Sequence, residues 1–146
     1  MEETTMHSIM ARYTLAAALA GVFVIGATAS SRAATSSTEP SVLAFDQKAQ
    51  GGHIMLDYAY LPAKGYAVVY GADKDGKPIK EPLGSVELTA GDHRNVKIKL
   101  NSEPPIGSKL WVSLYQDKDG KPGFDRQGDV SFWSSGLPAE NAVTIR

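Results

Sequence analysis

The chain has 146 residues, a formal net charge of −1 and no cysteine. That length suits one domain, and the near-neutral balance speaks against a nucleic-acid or anionic-membrane partner, which would want a basic face. Without cysteine there are no disulfides, no thiolate catalysis and no iron–sulfur, cysteine-zinc or cysteine-ligated copper site.

The first element is a secretion signal. Arg12 precedes an uncharged apolar run from Leu15 to Ala29, which is 15 residues long and so shorter than the ~20 a spanning helix needs. Ser31 and Ala33 then place small residues at the two positions a signal peptidase reads. Glu2 and Glu3 sit where positive charge is usual, and a start at Met6 or Met10 gives a cleaner basic region. The reading is a signal helix over residues 1–33, cleaved after Ala33, with an uncleaved anchor as the competing reading. Glu2, Glu3, Arg12 and Arg32 leave together, so the net charge stays at −1. Residues 34–41, ATSSTEPS, are small and polar and read as a flexible leader.

From Val42 to Arg146, apolar stretches alternate with turn signals such as Gly51-Gly52, Asp75-Gly76, Gly91-Asp92 and Pro104-Pro105. Breakers about ten residues apart leave no room for ordinary helices and point to an all-β sandwich or small barrel. Period-two alternation then places the strands. After Val42–Phe45 come inward sets Ile54, Leu56, Tyr58 and Tyr60, then Tyr66, Val68 and Tyr70, then Val86 and Leu88. Val96, Ile98 and Leu100 face inward with Lys97 and Lys99 outward. Leu110, Val112 and Leu114 face away from Trp111, Ser113 and Tyr115, and Val143 and Ile145 close the chain. About seven strands with one apolar face each predict an immunoglobulin-like two-sheet sandwich over residues 42–146. The hexapeptide Asp73–Pro78 (DKDGKP) recurs unchanged as Asp117–Pro122. Each copy follows a strand, which suggests similar exits at one end of the sandwich.

Several segments resemble a known family. They are Leu61–Val69 (LPAKGYAVV), Leu83–Ser85, Leu88–Val96 (LTAGDHRNV), the strand and loop Leu110–Asp125, and Asn141–Ile145. In this order they are similar to a domain of unknown function found in exported and cell-surface proteins of archaea, halophiles especially, and of bacteria. The resemblance implies an immunoglobulin-like sandwich, often a module of larger surface proteins. Members often carry a His where this chain has Tyr115, so the resemblance does not imply a shared His-based site.

The acidic loops are the candidate metal ligands. Asp73, Asp75 and Glu81 stand at relative positions 1, 3 and 9, as do Asp117, Asp119 and Asp125. Carboxylates so spaced can converge on a hard cation such as calcium, which wants six to eight oxygens. Against this, Gly falls at position 4 rather than 6, position 12 carries no acid, and each hexapeptide holds two lysines. Asp-Gly is also the strongest short hairpin signal. The turn is therefore the simpler reading and a weak extracellular calcium site the sharper one, with Gly76 and Gly120 at positive φ in either case.

His53 and His93 follow the signal, and His53-Ile54-Met55 puts a His-x-Met copper pair on one strand face. No Gly-x-Ser-x-Gly elbow accompanies His93. Trp111 and Tyr115 lie opposite the apolar set of their strand, where they are either core or a strip for stacking on sugars; core is the expectation for Trp111. These signs add up to a non-catalytic periplasmic or secreted envelope protein, a binding or structural module with no catalytic residues. It needs no cofactor beyond the calcium already weighed, and no membrane partner once the signal is removed. Its expected partner is an envelope protein or glycan. The alternative is a carbohydrate- or peptide-binding domain that uses exposed aromatics.

Overall fold

The computed structural model describes residues 39–146; the expected signal over 1–33 and the leader up to residue 38 lie outside the described residues. Strands account for all the regular structure described: β1 (Ser41–Leu43), β2 (His53–Leu61), β3 (Gly65–Ala72), β4 (Pro78–Leu88), β5 (Gly91–Lys99), β6 (Lys109–Gln116), β7 (Val130–Ser131), β8 (Trp133–Ser134), β9 (Leu137–Pro138) and β10 (Glu140–Thr144). One sheet runs β1-β2-β5 and the other β10-β6-β3-β4, all antiparallel. The short β7 pairs with Tyr115 and Gln116 of β6, beyond the residues that β10 covers. With β2 and β5 in one sheet and β3 and β6 in the other, the strand order is that of an immunoglobulin-like sandwich. β8 and β9 form a separate small hairpin.

The core lies between the sheets. Ile54, Leu56 and Ile98 meet Val69, Val112 and Leu114 there, all essentially without solvent contact. Lys97 and Lys99 face solvent as the alternation requires, while Val96 is only half-buried at the core's margin. Gly84 closes one side of the sandwich: a Cβ there would lie 2.1 Å from the Lys99 carbonyl oxygen, and next to it the Asn101 N–H donates to Leu83 O at 2.7 Å.

Two of the inward sets are corrected. Tyr66, Val68 and Tyr70 are buried, but on the outer face of their sheet, with Tyr115 and the partly buried Trp111 and Phe124. It is Ala67 and Val69 that enter the main core. β3 is central and covered on both sides, so its sequence carries no alternation to read. In β2 the alternation inverts midway. The register pairs Leu56 with Val96 and Tyr58 with Arg94, but Asp57 and Asn95 between them do not pair, and Asn95 has φ +53°. Beyond that break Ala59 and Leu61 are buried, and Tyr58 and Tyr60 turn outward to half-exposed positions. The Tyr58 hydroxyl donates to Asp92, and the Arg94 guanidinium sits 5.4 Å from the Tyr58 ring centroid.

Candidate functional site

The repeated hexapeptide forms two different structures at opposite ends of the sandwich. β3 and β6 are antiparallel neighbours, Gly65 facing Gln116 and Gly71 facing Leu110, so their exits point in opposite directions. The expected placement at one end is therefore wrong.

The first copy is a tight hairpin turn between β3 and β4. Asp73 Oδ1 accepts the N–H groups of Asp75 and Lys77, each at 2.9 Å, and the Asp73 N–H donates to Lys77 O at 2.8 Å. Gly76 has φ +77°, and its carbonyl accepts the Trp111 indole N–H at 2.9 Å. Asp73 and Asp75 are exposed, and Glu81 is exposed in β4. The Asp73 carboxylate already accepts two bonds from the backbone of its own turn.

The second copy opens a long loop, residues 117–129, that returns to β7. Asp117 Oδ1 accepts the Gly120 N–H at 2.8 Å, and Gly120 has φ +67°. Asp119 Oδ1 accepts the Lys121 N–H at 2.9 Å. At the far end Asp129, itself buried, accepts from the backbone N–H groups of Lys118 at 3.3 Å and Asp125 at 2.9 Å. These bonds fold the loop so that one carboxylate oxygen from each of Asp117, Asp119 and Asp129 lies within 4.8 Å of the others. Asp125 does a different job: its Oδ1 accepts the Gln127 N–H at 2.9 Å and shapes the turn before Asp129. Gly128 makes room for the cluster, because a Cβ there would sit 2.2 Å from Asp119 Oδ2.

Two lysines balance the three carboxylates. Lys64 Nζ lies 3.2 Å from Asp117 Oδ2 and Lys121 Nζ 3.4 Å from Asp119 Oδ2. Lys64 is shared with Glu87, whose Oε1 lies 3.3 Å from it, so the three aspartates keep a net negative charge. Asp119 Oδ2 is buried and accepts no hydrogen bond, so the Lys121 ammonium is its one charge partner among the described residues. The Lys121 N–H, followed by the Lys121 side chain, holds the Asp119 carboxyl below its usual 3.8, against the opposing effect of burial. Asp117, then Glu87, raises the Lys64 ammonium above its ordinary 10.5. Three such oxygens are half the ligand set of a calcium ion at most, with carbonyls and water left to supply the rest.

Sequence spacing did not single out Asp129, which stands twelve positions after Asp117 and outside any 1-3-9 pattern. The one local hint was the glycine before it.

The same loop covers the aromatic outer face. Phe124 packs 4.7 Å from the Tyr115 ring and 6.0 Å from Tyr66, and Arg126 sits 5.5 Å from the Tyr70 ring centroid. The Tyr70 hydroxyl donates to that of Tyr115 at 3.0 Å, and burial first, then Tyr115, pushes the Tyr70 phenol well above its usual range. Trp111 is not main core but half-buried in this layer, with Lys109 Nζ 4.5 Å from its ring. The exposed aromatics lie elsewhere: Trp133 is 58% exposed and Phe45 61%.

Neither described histidine has a serine or a carboxylate as a hydrogen-bond partner among the described residues. His53 Nδ1 is 2.9 Å from Gly51 O and His93 Nε2 2.8 Å from Thr89 O. His53 and Met55 do share a face, but Lys97 stands directly opposite Met55 and Lys99 opposite His53, so a copper ion there would meet two ammonium groups.

Residues 40–144 match the model of a domain of unknown function, DUF7282. The chain belongs to the DUF7282 family. The match spans the sandwich from β1 to β10 and includes both acidic loops. Comparison with curated proteins and with solved structures returned no match.

Proposed function

We propose that this DUF7282 chain is an exported, non-catalytic envelope or surface protein, a binding or structural module. The observation that carries the reading is where the reactive side chains of the described domain are engaged. Both histidines meet backbone carbonyls, and Asp73, Asp117, Asp119, Asp125 and Asp129 each accept backbone N–H groups. The carboxylates' bonds hold loops in shape, and neither imidazole has a serine or carboxylate hydrogen-bond partner among the described residues to make a base–nucleophile pair. The apolar run and small-residue exit of residues 15–33 supply the case for export. Cell fractionation with mass spectrometry of the exported form should find a mature chain beginning near Ala34. A full-length product retained in the inner membrane would overturn the export reading.

A second reading is favoured by the carboxylates of Asp117, Asp119 and Asp129. Their loop is a weak calcium site, in which the cation takes over from Lys121 at Asp119 Oδ2. A ligand that binds only the folded state raises its melting temperature by mass action. Millimolar calcium should therefore raise the melting temperature, and Asp129→Asn should abolish the shift. An identical shift in that variant would mean that calcium acts elsewhere.

A further inference from the structure

On the outer face of the three-stranded sheet, a cleft of about 350 Å³ opens between the loop after β1 and the paired strands β2 and β5. Lys48, Gln50, His53, Met55 and Lys97 line it, and no acid does. Lys99 extends the basic surface, because it stands opposite His53 just as Lys97 stands opposite Met55. Lys97 and Lys99 are two apart on one strand, so their side chains leave the same face about 7 Å apart. The structure gives neither these two nor Lys48 an ion-pair partner among the described residues. Asp57 is the next residue of β2 in line with His53 and Met55, and its Oδ2 accepts the Phe45 N–H at 3.0 Å.

We infer that this cleft is an oxyanion site, which takes a carboxylate or sulfate group either free or carried on an acidic sugar. Three ammonium groups gathered on one face repel one another, and a bound anion relieves that repulsion while gaining charge-assisted hydrogen bonds. The Gly51 carbonyl can only accept, so His53 Nδ1 carries the proton, and Nε2 has no hydrogen-bond partner among the described residues. Met55 supplies an apolar wall beside the charges, and the volume suits one sugar ring rather than an extended chain, since ligand pockets start at about 300 Å³. The inference rests on the reading of the domain as a binding module and gives that module a ligand class.

The test titrates the purified protein with sodium sulfate, glucuronate and glucose at constant ionic strength, followed by calorimetry and by amide shifts of β2 and β5. Saturable binding of glucuronate is expected, at least tenfold tighter than of glucose. Lys48→Gln and Lys97→Gln should each weaken it several-fold and together abolish it, while Lys118→Gln, in the acidic loop, leaves it unchanged. Sulfate binding as tightly as glucuronate, with the same lysine dependence, supports the site with a free oxyanion as ligand. Two results overturn the inference: no saturable binding of either anion, as for lysines that merely guard the β5 edge, or binding indifferent to the lysine variants. Both lysines are exposed, so unchanged urea midpoints in the variants are expected and separate lost binding from lost fold. Because the protein is purified, the outcome does not depend on where the cell keeps it, and fractionation tests export separately.

Discussion

At the scale of single residues, burial decides what each side chain is worth. Leu114 is fully buried between the sheets, whereas Lys99 points into solvent from β5. Truncation of a buried leucine loses its transfer free energy and leaves a cavity, so Leu114→Ala should cost roughly 2–5 kcal/mol. Lys99→Ala removes a solvated charge that has no ion-pair partner among the described residues and should shift stability by no more than about 0.5 kcal/mol. Urea melts of the two variants, at one pH and salt concentration, give both numbers. Equal small losses would contradict the register that puts Leu114 inside and Lys99 outside. Asp119 shows the same principle on the polar side: its Oδ2 is buried and accepts no hydrogen bond, held by an ammonium 3.4 Å away. That is the position in the acidic loop where a cation would gain most, and Gly128 is what lets the carboxylate reach it.

At the scale of elements, the sequence was legible wherever the two faces of a strand differ in residue type. Exposed Lys97 and Lys99 flank Ile98 in β5, and β6 keeps Leu110, Val112 and Leu114 in the core as their period requires, although Ser113 and Tyr115 on its other face are buried too. Legibility failed where both faces carry apolar side chains or where the strand itself breaks step. β3 reads GYAVVYGA, apolar or small throughout, because the 117–129 loop and Phe124 cover its outer face while the other sheet covers its inner one. A covering loop is a long-range event that no local window records. The inversion in β2 arises at Asp57, opposite Asn95, and a single αL residue in the partner strand leaves no mark on the period of β2 itself. The acidic loops show the same limit. Identical hexapeptides give one hairpin and one long loop, because Asp73 meets Lys77 across a tight turn whereas Asp117 waits for Asp129, brought back by the pairing of β7 on β6. Gly76 and Gly120 take positive φ in both, since the Asp-Gly turn is a local matter.

At the scale of the whole molecule, the domain is fastened where its first and last strands approach. Asp46, just past β1, accepts the Thr144 N–H at 2.9 Å and pairs with Arg146 at 3.2 Å. The Gln47 N–H donates to Thr144 O at 3.1 Å and the Arg146 N–H to Gln47 O at 2.9 Å. The Thr144 N–H, and after it Arg146, holds the Asp46 carboxyl below its ordinary 3.8, as the Lys121 N–H does for Asp119. A carboxyl whose pKa is lowered by folding contributes stability that is complete above the unfolded value and is lost as the pH falls through the folded one. The protein should therefore hold a level urea midpoint from neutrality to about pH 5 and lose stability below about pH 4, as protonation releases both loops. Asp46→Asn keeps an oxygen for the Thr144 N–H but cannot titrate. The variant should be less stable at neutral pH, since Arg146 loses its charge partner, and its midpoint should fall less steeply below pH 4. Wild type and variant falling with the same slope would show that the junction of the two ends is not among the groups that set the acid limit of this fold, and would leave that limit to the Asp119 loop.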